Sequence, residues 1–301
     1  MALNLAILGT AKRNGHIITT VLEHNSVLRV LNNLKTTHNI SITYLKPNKE
    51  GKISTNELTK SIKGSTYLVI INHTSNVTGY TQNLEAIGRI CKKHNILFLV
   101  DGAQSAGHEK IDMEKQNINM LAIAGHKGLY ALQGIGALII NNAKVNPIIF
   151  GGTGTQSISI KQPTDYPDGL ESGTLNLTGI LSLNAGITFV ENNQEKINSK
   201  IEKLTSYLIY ELNRIKNIEV FGTSYSGIVS IKIKNTDSNI VSNQLDEKYN
   251  IATRSGLHCA PLLHKHLNTL KTGLTRISLS YFNNKREIDK LILALKEIAL
   301  T

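Results

Sequence analysis

The 301-residue sequence has no tryptophan, two cysteines, five prolines and only 5% aromatic residues. Each shortage excludes something. Two cysteines, Cys91 and Cys259, cannot build a disulfide framework, and neither sits in a metal-ligand spacing. Few aromatics and no tryptophan leave no platform for stacking bases. The 33 lysines and arginines are scattered rather than gathered into runs, so the formal charge of +11 reads as solvated faces and not as a nucleic-acid interface. That surplus still favours an anionic cofactor or partner. No apolar segment approaches the ~20 residues that cross a bilayer. The apolar run at residues 1–9 has no basic segment before it and makes a poor signal peptide, so no membrane partner is expected and the cytoplasm is the expected compartment.

What is present is an α/β pattern. The 41% hydrophobic and 18% charged fractions are those of a globular chain, long enough for a sizeable core and two domains. Strands are predicted at 16–20, 40–45, 67–72, 96–101, 120–125 and 134–140. Helical spacing separates the earlier ones at 26–35, 55–62 and 83–94. That alternation implies βαβ units and a mostly parallel sheet. Residues 151–175, rich in Gly, Thr and Pro, break the rhythm as a long loop of the functional kind. One long connecting helix or two is expected over 177–217, followed by a smaller α+β domain with strands at 227–234 and 277–281 and helices at 238–248 and 286–299. The predicted domains are 1–175 and 176–301.

Two apolar strands end in chemistry. Residues 96–100 run into Asp101, with Gln104 just beyond, and residues 120–124 run into Gly125-His126-Lys127. In an open parallel sheet the carboxyl ends of strands face the ligand crevice. A carboxylate and a lysine delivered there by separate strands suit pyridoxal 5'-phosphate. Its aldehyde condenses with the lysine amine, and its ring nitrogen needs an acid partner. Read alone, Asp101 also fits a turn or helix cap, and Lys127 a solvated charge. His24, between a strand and a helix, is either a helix-start polar residue or a ring that stacks on a cofactor. Asn76, after a buried strand, suits a turn or a cofactor edge. Cys91 lies on the apolar face of its helix and reads as a buried inert thiol. Cys259 follows Arg254 and His258 in a loop without apolar period, a setting for either a nucleophile or a half-buried structural thiol.

Taken together these segments resemble the class V aminotransferase family, in its cysteine desulfurase and selenocysteine lyase branch, over nearly the whole chain. The resemblance implies the type I PLP-dependent transferase fold, with a large cofactor domain and a small C-terminal domain. It implies that His24 stacks on the cofactor and takes part in catalysis, and that Asn76 sits at the cofactor edge. Asp101 and Gln104 would bind the ring, His126 the phosphate, and Lys127 the aldehyde. Thr174, in Glu171-Ser-Gly-Thr-Leu-Asn, would reach the phosphate of a partner subunit, which implies a homodimer. Cys259 would accept sulfur, and Arg276, with Arg254, would hold the substrate carboxylate as a bidentate pair. L-cysteine or selenocysteine is the implied substrate, and a sulfur-acceptor protein a further partner. An aminotransferase and an inactive remnant of the fold are the alternatives. Two departures stand out. Ala124 occupies a position where a serine is common, and the family has several tens of residues before the segment matched by Ala2. Either the true start lies upstream, or the phosphate cup is expected to be incomplete and apolar surface to be exposed.

Overall fold

A computed structural model describes residues 1–223 and 225–300. Its larger sheet has six strands: β1 (His16–Thr20), β2 (Ser41–Leu45), β3 (Thr66–Asn72), β4 (Leu97–Asp101), β5 (Met120–Ala124) and β6 (Gly136–Ile140), in the order β2-β1-β3-β4-β5-β6. The first five are parallel, and β6 runs antiparallel to β5. The central strands are buried on both faces, which is why their sequences are continuous apolar runs rather than alternating ones.

Helices cover both faces. α1 (Ala2–Gly9) and α2 (Asn25–Thr37) pack Leu3, Ile7, Val27, Leu31 and Leu34 against one. α3 (Thr55–Lys60) and α4 (Leu84–Lys93) pack Leu58, Leu84 and Ile87 against the other. α1 is the apolar N-terminal run, to which the sequence pattern assigned no element. It is apolar nearly all round because it is enclosed between α2 and the sheet. Cys91 is buried in α4, and burial pushes its thiol up to about 12, so it is inert at neutral pH.

The helical stretch expected over 177–217 is one helix, α5 (Leu177–Leu212), of 36 residues, followed by a turn. At Gly186 it presses on the 127–131 turn so closely that a Cβ would come within 2.0 Å of the Leu129 carbonyl oxygen. Farther along, its Leu204, Leu208 and Leu212 enter the second core. That core lies against a three-stranded antiparallel sheet of β7 (Ile218–Gly222), β8 (Ile228–Ile233) and β9 (Thr275–Ser278), covered by α6 (Ser238–Tyr249) and α8 (Lys285–Ile298). β7 and the six-residue α7 (Pro261–His266) have no counterpart in the expected pattern. Phe98 is fully buried in the core between the sheet and α4. Phe98→Ala is expected to cost about 3–5 kcal/mol in denaturant unfolding. Leu293→Ala, at a 61% exposed position of α8, should stay within about 0.5 kcal/mol of the parent.

Candidate active site

The carboxyl ends of β1, β3, β4 and β5 open on one side of the sheet, and the turns leaving them carry His24, Asn76, Asp101 and Lys127. Asp101 sits opposite Asn72 on one neighbouring strand and Ala122 on the other, and its side chain is 2% exposed. Its Oδ1 accepts the Ala103 N–H at 3.0 Å. Burial pushes this carboxyl above its usual range, and the Ala103 N–H with the charges of Lys127 and His24 pulls it back. Lys127 is half-buried. Burial lowers its amine's affinity for a proton, the Asp101 charge raises it, and Arg276 and Arg254 lower it further.

Two glycines hold the Asp101 and Lys127 turns together. Gly107 has φ +88°, and a Cβ there would lie 2.2 Å from the Gly128 carbonyl oxygen. A Cβ on Gly128 would in turn lie 2.4 Å from the Ala106 carbonyl oxygen. Only backbone fits between the two turns.

His24 caps α2: its Nδ1 accepts the Ser26 N–H at 3.1 Å. Burial lowers the ring's proton affinity and the Asp101 charge opposes it. Asn76 donates from Nδ2 to the His258 carbonyl at 2.7 Å, while its buried Oδ1 has no partner. Its amide therefore ties the sheet to a loop of the C-terminal unit, a role its sequence setting did not suggest.

That loop brings in the remaining residues. Arg254 and Arg276 are backbone partners, with N–H···O distances of 3.2 and 2.7 Å, which places two guanidinium groups side by side. Arg276 donates from Nη1 to the Asn76 carbonyl at 3.0 Å, and its buried Nε has no partner. Arg254 Nη2 lies 3.9 Å from Cys259 Sγ. His258 and Cys259 both adopt left-handed backbone, φ +49° and +57°, which costs a non-glycine residue energy and persists only where neighbours impose it. The Asn25 N–H donates to the Cys259 carbonyl at 2.7 Å, and His258 Nε2 meets the Leu274 carbonyl at 3.0 Å. Cys259 then faces a cavity of about 480 Å³ that it shares with His24, Asn25, Ser26 and Arg29.

Gln104 is half-buried, and His126 and Thr174 are exposed. Among the described residues none of the three makes a side-chain hydrogen bond to the crevice groups. Thr174 belongs to the 151–176 loop. A second cavity, about 750 Å³, lies among α1, β6 and the start of α5, lined by Leu5, Leu138, Ile149, Leu175 and Ile180. It holds none of the crevice groups. Glu23 and His258 are both buried beside the site; sequence reasoning gave Glu23 no role and named His258 only as a neighbour of Cys259. Glu23 could have been found as a charged residue interrupting the β1–α2 junction next to His24.

The chain matches the aminotransferase class-V family over residues 1–291. It belongs to that family. It is 36% identical to a probable cysteine desulfurase of Borreliella burgdorferi, over 95% of this chain and 71% of the relative. It is 32% identical to a probable cysteine desulfurase of Pyrococcus abyssi, over 99% of this chain and 76% of the relative. Among solved structures it is similar to the apo cysteine desulfurase of Thermococcus onnurineus NA1, with a TM-score of 0.91 and 30% identity over 99% of this chain and 77% of that one. The two-unit arrangement is accordingly the type I PLP-dependent transferase fold expected from the sequence.

Burial lowers the proton affinity of Lys127 by more than the Asp101 charge raises it. Amine labelling followed at Lys127 by mass spectrometry should reach its midpoint at lower pH than for exposed lysines. Asp101→Asn removes the one group that raises its proton affinity and should lower that midpoint further. An unchanged midpoint would mean that the two side chains do not interact.

Proposed function

We propose that this chain is a PLP-dependent lyase of the cysteine desulfurase type, converting L-cysteine to L-alanine and leaving the sulfur as a persulfide on Cys259. The supporting observation is the convergence on one crevice of a buried acid, a half-buried lysine, two adjacent arginines and a thiol held in strained backbone. The donor set fits pyridoxal 5'-phosphate. Asp101 is a buried carboxyl with no ion pair among the described residues, which suits a protonated ring nitrogen. The unpaired Asn76 Oδ1 suits the cofactor's edge, and the His24 ring, whose proton affinity burial lowers, suits its face. Gln104 and His126 are assigned to the ring oxygen and the phosphate from their places after Asp101 and before Lys127. When bound, the cofactor supplies an electron-accepting ring conjugated to the substrate's amino carbon.

The protein's own groups divide the remaining work. Arg276, with Arg254 beside it, receives the substrate carboxylate, whose charge offsets two guanidinium groups that otherwise repel each other. Lys127, with its proton affinity lowered by burial, takes a proton from the substrate's Cα and returns it. Cys259 Sγ attacks the substrate sulfur. The Cβ–S bond breaks as the S–S bond forms, Cβ gains a proton, and alanine leaves. Arg254 Nη2, 3.9 Å from Sγ, flanks the attacking atom. L-cysteine is the proposed substrate, with selenocysteine open to the same residues.

The proposal includes a homodimer in which the loop bearing Thr174 reaches the partner's cofactor phosphate. The apolar side chains exposed beside that loop, Phe150 (69%), Leu175 (55%) and Leu181 (60%), support a covered face. A sulfur-acceptor protein and a cytoplasmic location complete the reading. Among the described residues no helix is long and apolar enough to cross a membrane.

After PLP addition and gel filtration, the parent chain should retain visible absorbance that Lys127→Ala abolishes. Cys259→Ser should retain the absorbance and lose roughly 10²-fold or more of alanine formation from L-cysteine. Alanine formed by Cys259→Ser at the parent's rate would remove Cys259 from the reaction. Absence of retained cofactor in the parent would overturn the lyase reading.

A further inference from the structure

One residue before His24, the β1–α2 turn holds a second carboxyl. Glu23 is 0% exposed. Its Oε1 accepts two hydrogen bonds, from the Thr20 hydroxyl at 2.7 Å and the Asn72 N–H at 2.9 Å. Its Oε2 makes no hydrogen bond of ordinary geometry, nor do the buried Thr19 Oγ1 and Asn72 Oδ1 of the two strands it joins, although the Thr19 hydroxyl lies close enough to act on the carboxyl. Among the described residues the ion pairs are Arg89–Glu85, Arg214–Glu211 and Lys285–Asp289, none of which involves Glu23. The one charged group acting on it is Asp101, at the end of the strand beyond β3, and that group carries the same sign.

Two buried carboxyls in one region do not both ionise without a cation between them. Here the cations are distributed unequally. Lys127 acts on Asp101 and not on Glu23, whose neighbours on β1 and β3 are the uncharged Thr19, Thr20 and Asn72. A proton on Oε2 would also resolve its lack of an ordinary hydrogen bond, turning an acceptor into a donor beside oxygens that can accept.

We propose that Glu23 is a neutral carboxylic acid in the folded protein and a positioning residue. Its Oε1 clamps the turn bearing His24 to the end of β3, and its uncharged state leaves Asp101 as the one anion at the floor of the crevice. The neutral state of Glu23 is independent of the lyase reading. Its influence, through Asp101, on a bound cofactor rests on that reading.

The pH consequence has a definite sign. Burial pushes the Glu23 carboxyl from 4.5 up to about 8. Between those values the folded chain holds a proton that the unfolded chain has lost, so the stability contributed by neutral Glu23 is complete below the lower value and lost as pH rises through the upper one.

Infrared spectra of the full chain read the proton directly. At neutral pH a carboxylic-acid C=O stretch is expected above the amide band. It should shift on ¹³C-glutamate labelling, persist in Asp101→Asn and be absent from Glu23→Gln. The labelled parent alone gives this reading if Glu23→Gln does not fold. Thermal melting adds a second readout. The Tm of Glu23→Gln, which keeps the Oε1 acceptor but cannot ionise, should rise relative to the parent between the two pH values and hold a constant offset above them. A merely structural role would give an offset that does not change with pH. Absence of the glutamate band at neutral pH, or a pH-independent offset, would overturn the proposal.

Discussion

Asp101 ends a strand whose other four residues are apolar, and the sheet that positions its carboxyl also draws it out of water. A carboxylate so placed is costly unless something cationic or hydrogen-bonding meets it. The Ala103 N–H, Lys127 and His24 are arranged to do so, from the next turn, the next strand and the β1–α2 junction. The same interaction runs in reverse on Lys127, where Asp101 is the one group favouring the charged amine against burial and two arginines. Remove the buried acid, and neither the lysine nor the ring in the β1–α2 turn has an electrostatic reason to be where it is.

Around that pair the fold uses contacts that leave little freedom. Gly107 and Gly128 allow the two turns to touch backbone to backbone, and Gly186 brings α5 against the following turn. Asn76 and Arg276 exchange contacts across the two units, with Asn76 donating to His258 and Arg276 donating to Asn76. The left-handed backbone at His258 and Cys259 is thereby imposed by partners on both sides, and Cys259 lines a cavity together with His24. Paired arginines at a crevice mouth repel each other until an anion arrives, so the site is built to gain from binding a carboxylate.

Much of this was legible in the chain. Strands that are apolar throughout and end in Asp101 or in Gly125-His126-Lys127 can be buried on both faces and still deliver polar groups only at their ends, which is the pattern of a parallel sheet. The 3.6-residue stripes of α2, α4 and α8 were equally plain, because each has one buried and one solvated face. α1 was not, since a helix enclosed on several sides loses its stripe. Nor were β7 and α7. The burial of Glu23 and His258 was not legible, because a charged or titratable residue in a turn usually faces water.

The sequence by itself determined the order of elements and the residue types available at the ends of β1, β3, β4 and β5, because local periodicity and turn chemistry act over a few residues. Tertiary structure alone decided which of those residues meet. The Arg254–Arg276 pairing, the bond from Asn76 to His258 across 182 positions and the solitary burial of Glu23 beside Asp101 all depend on distances between segments remote in the chain. Electrostatic environment follows from those distances and from exclusion of water, and neither is written in any single stretch of residues.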